Sequence, residues 1–162
     1  MKKYFLIFLL SVTSVGVIKA QTVMDVAGIQ GESNYPFASN VHTLDLAEFE
    51  DAKQMILLAL KPPSGYTPVF QTSIKKTPGL ASPKFAETLL KGNTIATITI
   101  KEYGKGQFTK ILKLEGATIS GYALSSENYD EYFSIKADKV WYEEPAKKYK
   151  IGYDFKNKTP LK

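Results

Sequence analysis

The sequence has no cysteine and no arginine, and only one histidine and one tryptophan in 162 residues. Without cysteine there can be no disulfide, iron–sulfur cluster, thiolate zinc site or thiol-linked lipid. All 21 basic side chains are lysines, so the chain lacks the planar fork that reads guanine edges or clamps phosphate bidentately, which argues against nucleic acid as a partner. His42, alone, cannot build a histidine metal cluster and is expected at a polar strand edge. Gly28 and Gly31 read as a turn rather than a phosphate cradle, because no G-x-x-x-x-G-K follows, and no G-x-S-x-G elbow occurs. No cofactor is expected.

What is present begins with Lys2 and Lys3, an apolar run from Tyr4 to Ile18, and the small residue Ala20. This is the pattern of a secretory signal peptide over residues 1–20, with the cut expected between Ala20 and Gln21. The run is too short for a comfortable span, which takes about 20 apolar residues. Cleavage would leave 142 residues, one domain at 21–162, with no stable membrane insertion. It would also remove Lys2, Lys3 and Lys19, leaving 18 lysines against 16 acids. The expected location is secreted or periplasmic.

Along the mature chain, strand signals dominate. Alternation predicts strands over Thr22–Ala27, Thr67–Lys75, Thr94–Tyr103, Gln107–Leu114, Ala117–Ser125, Glu131–Glu143 and Lys148–Phe155, the last before a mobile polar tail. Gly104-Lys105-Gly106 reads as a hairpin turn and Glu115-Gly116 as another. Gly121 marks a bulge or close approach, and the apolar phase of Glu131–Glu143 changes near Asp138, where a bulge is expected. The segment from Val41 has two readings, a strand to Glu50 or a helix over Asp45–Leu60. One helix is well delimited: Ser82 as N-cap, Pro83 at the first position, Phe85, Leu89 and Leu90 as its apolar stripe, and Gly92-Asn93 as its stop.

Candidate chemistry is sparse. Glu48, Glu50 and Asp51, and the pair Glu143 with Glu144, offer carboxylates for a glycosidase pair or a hard-cation site, although solvated strand ends are far commoner. Lys147, Lys148 and Lys150, alternating with Tyr149, form the densest basic patch and read as a solvated strand face. The ten tyrosines and nine phenylalanines read as cross-strand packing more readily than as a sugar platform.

Three separated blocks resemble the haemolysin-coregulated protein (Hcp) family, inner-tube subunits of bacterial type VI secretion systems. The first is Asp25-Val26-Ala27-Gly28-Ile29-Gln30-Gly31-Glu32-Ser33, similar to an opening strand followed by a G-E-S loop. The second joins Ile74-Lys75-Lys76 to the Ser82-Pro83-Lys84 helix start and the Gly92 stop. The third is Tyr132 to Tyr142, containing Phe133-Ser134-Ile135 and Lys139-Val140. The resemblance implies a mainly β fold, a single-domain β-barrel of two antiparallel sheets with one short flanking α-helix at about residues 82–92. It implies a non-enzymatic subunit that closes into a hexameric homo-oligomeric ring and meets effectors or other secretion-system proteins. Gly31, Glu32, Ser33, Lys75, Lys76, Ser82, Pro83 and Gly92 would be structural signature residues, and Lys84, Glu87 and Lys91 subunit contacts. A secreted β-barrel binding module for a glycan or protein, without tube assembly, is the alternative.

Overall fold

The computed structural model describes residues 20–35, 38–127 and 129–162. Residues 1–19, which carry most of the expected signal peptide, lie outside the described residues. Among the described residues, no helix is long and apolar enough to cross a membrane.

The fold is mainly β. Strands β1 (Gln21–Val26), β2 (Ser33–Tyr35), β3 (Ala38–Leu44) and β4 (Leu46–Ala47) precede helix α1 (Phe49–Leu60). Strand β5 (Gln71–Lys76) and helix α2 (Ser82–Lys91) follow. The chain continues through β6 (Ile95–Gly104), β7 (Gln107–Leu124), β8 (Glu131–Glu144), β9 (Tyr149–Asp154) and β10 (Thr159–Pro160). One antiparallel sheet runs β10-β9-β8-β7-β6-β1-β3-β2, with β5 attached to both β8 and β4. The expected arrangement of two sheets closed into a barrel is therefore replaced by a single ladder that is open at β2 and β10. Asp45 separates β3, on β1, from β4, on β5, and its N–H donates to the Lys75 carbonyl at 2.9 Å.

Two helices stand where the resemblance implied one. Phe49, Ala52, Ile56 and Ala59 recur at helical spacing and bury one face of α1, and Pro62-Pro63 prevents its continuation. The two readings of this segment each hold over part of it: strand to Ala47, helix from Phe49. In α2 the stripe is narrower than expected. Phe85 is buried and Leu89 half-buried, but Leu90, about 140° round the helix from Phe85 at 3.6 residues per turn, is 86% exposed. Gly92 is left-handed at φ 62°, its N–H bonding Leu89 O while Asn93 N–H bonds Thr88 O. That double closure is a Schellman stop.

The central pair β7 and β8 organises the rest. Gly116, at φ 61°, lies within β7 instead of breaking it, and a Cβ there would come within 2.8 Å of Asp138 Oδ2. Opposite it, β8 changes phase at Asp138: Phe133, Ile135 and Ala137 are buried before it, Val140 and Tyr142 after it. Both strands turn over together with their register intact, Glu115 facing Lys139 and Ala117 facing Ala137. So the expected bulge at Asp138 is absent; the register shift lies between Ile119 and Gly121. At the same place the far edge of β8 exchanges partners, from β5 up to Lys136 to β9 from Lys139. The β6–β7 hairpin turns through Lys105 and Gly106, both at positive φ, as a tight two-residue loop favours.

The C-terminal residues, expected to be mobile, fold back. Thr159 and Pro160 pair with Asp154 and Tyr153, and Leu161 N–H donates to Gly152 O at 3.1 Å. A Cβ on Gly152 would lie 2.7 Å from the Trp141 ring and 3.1 Å from Leu161, so this glycine is what seats the indole. Lys113 Nζ covers that ring at 5.2 Å.

Candidate functional site

The polar groups that converge most tightly lie where α2 meets the sheet. On β5 the buried phase Thr72, Ile74, continuing from Phe70 just before the strand, ends in Lys76, and on β8 the phase Phe133, Ile135, Ala137 begins with Glu131. The ladder sets Lys76 opposite Glu131, and both side chains are 2% exposed with Nζ 3.1 Å from Oε2. Such a charge pair is retained only when its remaining valences are satisfied. Lys76 Nζ also donates to Thr77 O at 2.8 Å and reaches Ser82 Oγ at 3.4 Å; Ser82 Oγ donates to Glu131 Oε2 at 2.6 Å, and Tyr122 OH donates to Glu131 Oε1 at 3.1 Å. Burial, followed by the Glu131 carboxylate, pushes the Tyr122 phenol up.

Ser82 is not the N-cap the sequence suggests. Ala81 precedes the helix, and Ser82, its first residue, uses its hydroxyl as an anchor to Glu131 while accepting from Gly79 N–H at 2.9 Å. The helix-start amide of Ala81 is instead met by the Glu32 carboxylate, reaching across from the loop after β1. That approach demands glycine at 79, where a Cβ would collide with the Glu32 carboxylate, and at 31, where it would collide with the backbone of Asn40 and Val41. Gly31, Glu32, Lys76 and Ser82 are thus brought together. Lys75, on the outward phase, pairs with Asp130 at 2.6 Å and lies 5.9 Å from the Tyr132 ring; the Asp130 hydrogen bond, ahead of an opposing desolvation, raises its pKa. Ser33 accepts from Thr43 Oγ1 at 3.3 Å on β2, away from the cluster. Pro83 is exposed in the first turn, and Gly92 closes the opposite end of the helix.

The exposed face of α2 carries Lys84, Glu87 and Lys91 in one chain: Lys84 Nζ lies 3.0 Å from Glu87 Oε2 and Lys91 bonds Glu87 Oε1. Lys91 first, and then Lys84, pulls the Glu87 carboxyl down to about 2. Leu80, 94% exposed, stands beside this face. Ala20 and Gln21 are both exposed, and Gln21 is the first residue of β1, opposite Tyr103.

The candidate hydrolytic acids have other partners. Glu48 Oε2 accepts from Ser73 N–H at 2.9 Å, Glu50 pairs with Lys110 at 3.3 Å, Glu143 with Lys150 at 2.6 Å, and Glu144 with Lys53 at 2.8 Å and with Lys147. Two lysines of the basic patch are thereby neutralised. Among the described residues, no group of three His, Asp or Glu is arranged to hold a metal ion. His42, expected at a polar strand edge, is instead 1% exposed and stacks edge-on against Phe85, centroids 5.0 Å apart.

No family model matches the chain, and no curated protein matches it in sequence. Solved structures do match in fold. Hcp1 from Salmonella typhimurium superposes with a TM-score of 0.69 at 15% identity, covering 88% of this chain and 99% of that one. Hcp2 from the same organism gives 0.68 at 17% identity with the same coverage. The secreted protein Hcp3 from Pseudomonas aeruginosa gives 0.65 at 13%, over 83% of this chain and 97% of its own. The chain therefore has the Hcp-like fold.

Proposed function

We propose that the protein is an exported, ring-forming structural protein of the type VI tube family, non-enzymatic and without a cofactor, which carries or chaperones effectors. The observation that carries this reading is the extent of the likeness: nearly the whole of Hcp1 is covered by 88% of this chain. A signal cut between Ala20 and Gln21 is compatible with it, because β1 begins at Gln21 and loses no ladder residue. Closure of the open ladder into a barrel would join the two arms that Asp45 already links in sequence, the strand on β1 and the strand on β5. Lys84, Glu87 and Lys91 are our candidates for subunit contact; their charges are arranged along an exposed face with Leu80 and Leu90 at its ends. Partners would be copies of this chain, effectors or other secretion-system proteins, with no nucleic acid and no lasting membrane insertion.

The test is to express the full chain, recover protein from each compartment, and determine its N-terminus by mass spectrometry and its mass by light scattering. A secreted or periplasmic species beginning at Gln21 with about six-fold monomer mass is expected for a closed ring. A strict monomer at high concentration overturns the assembly, and an intact Met1 overturns the cut. The binding-module alternative would use the open groove of about 480 Å³ between Gly28–Glu32 and Leu80 with Lys84; a monomer that retains a glycan or protein ligand in a pull-down would favour it.

A further inference from the structure

His42 is a histidine without a conventional role. It projects from β3 beneath α2, and its ring meets Phe85, the largest apolar group with which that helix grips the sheet. Nε2 lies 3.4 Å from Ile29 O, a long contact, and Nδ1 is buried with no hydrogen-bond partner. A neutral imidazole can occupy such a site as a flat, weakly polar ring. An imidazolium there would hold a donor with nothing to receive it and a charge without solvent, and both are costly. The groups facing it come from four elements. Asp25 of β1 and Glu32 of the following loop favour the proton; Lys76 of β5, whose ammonium is 6.0 Å from the centroid of the same Phe85 ring, opposes it; α2 itself offers only that ring. Glu131 of β8 is engaged by Lys76 and Ser82.

We infer that His42 is a proton-operated latch for helix α2: neutral, it seats Phe85; protonated, it releases the helix from the sheet while the remaining strands stay paired. The same local rearrangement also loosens the first turn, because the Glu32 carboxylate that holds Ala81 N–H belongs to the loop whose Ile29 carbonyl faces the imidazole. Burial holds the imidazole below the ordinary histidine value, outweighing the bond to Ile29. The sign follows. The helix is fully held above the ordinary histidine pKa and loosens as pH falls below it. This inference concerns the protomer and stands whether or not rings form.

The single histidine gives a single imidazole resonance, so its titration is read without assignment ambiguity. The test follows that resonance by NMR in the full-length expressed protein together with amide exchange of α2, corrected for intrinsic rates, between about pH 7.5 and about pH 5. We expect protection of α2 to fall about tenfold per pH unit as pH drops below the ordinary histidine pKa, levelling off once the seated imidazole itself protonates, with β6–β8 unchanged. His42→Gln and His42→Leu should both abolish that dependence, whereas Glu32→Gln should retain it around a lower baseline. Persistence of the dependence in both His42 variants overturns the latch. An imidazole that titrates without any change in α2 exchange overturns it equally.

Discussion

The two helices are fastened to the same sheet by different physics. Helix α1 buries four residues, Phe49, Ala52, Ile56 and Ala59, and its ionic tie, Lys53 to Glu144, sits at the partly wet edge of that contact. Helix α2 buries only Phe85 and Thr88, and what it lacks in apolar area it replaces with Glu32, Ser82 and the enclosed Lys76–Glu131 pair at its first turn. An apolar attachment is indifferent to protons and nearly so to salt. A buried polar one is strong while complete, but depends on every member. The comparison places sensitivity at α2 and constancy at α1.

The largest effect expected is from Glu131→Ala, which strands the Lys76 ammonium in the interior and should cost about 3–5 kcal/mol in urea unfolding. Replacing both partners by Met and Leu should recover most of that loss, since the cost is of an unpaired charge. Next, Ile56→Ala in α1 should cost about 3 kcal/mol through the cavity it leaves, and the loss should be the same at pH 7 and pH 5.5. An Ile56 penalty that grew with acid would erase the distinction between the helices. Third, Ser82→Ala should cost about 2 kcal/mol, because it removes a hydrogen bond to a charged carboxylate and the acceptor of Gly79 N–H; an unchanged midpoint would show that the anchor contributes nothing. Smallest is the acid response of the α1 tie. Lys147, and then Lys53, holds the Glu144 carboxyl near 2, so its contribution is present above the ordinary carboxylate pKa and is lost progressively as pH falls from there through about 2. Exchange at α1 should therefore remain flat across the range in which α2 loosens.

Much of this was legible in the residues. Period-two alternation located β1, β5, β6, β8 and β9 to within a few positions, and Gly92-Asn93 marked the end of α2 because only a left-handed residue closes a helix so tightly. The Hcp-like fold was legible as three weak blocks in order. The errors have local causes. Gly116 reads as a turn because glycine with positive φ usually ends a strand; here β8 continues opposite it, and tertiary pairing overrides the local preference. Leu90 reads as part of the apolar stripe by hydrophobicity alone, but five residues from Phe85 is nearly half a turn away, and it faces solvent. The acid partner of the site, Glu131, carries a signal in the sequence: it lies in phase with Phe133 and Ile135, as Lys76 lies in phase with Thr72 and Ile74. A cation and an anion, each closing an apolar phase on a different strand, are candidates for one another. His42 gave no such signal, because which face β3 buries depends on where α2 lies.

Trp141 offers an independent vantage on this molecule. It is the only indole in the chain, and it is wedged over Gly152 under the returning C-terminus, beside Lys113. Its emission is accordingly an intrinsic optical gauge of the β8–β9–β10 corner, blind to events at the start of α2. Mild acidification that opens amides in α2 while leaving this fluorescence constant would identify a partial unlocking, whereas a simultaneous red shift would identify collapse of the whole domain.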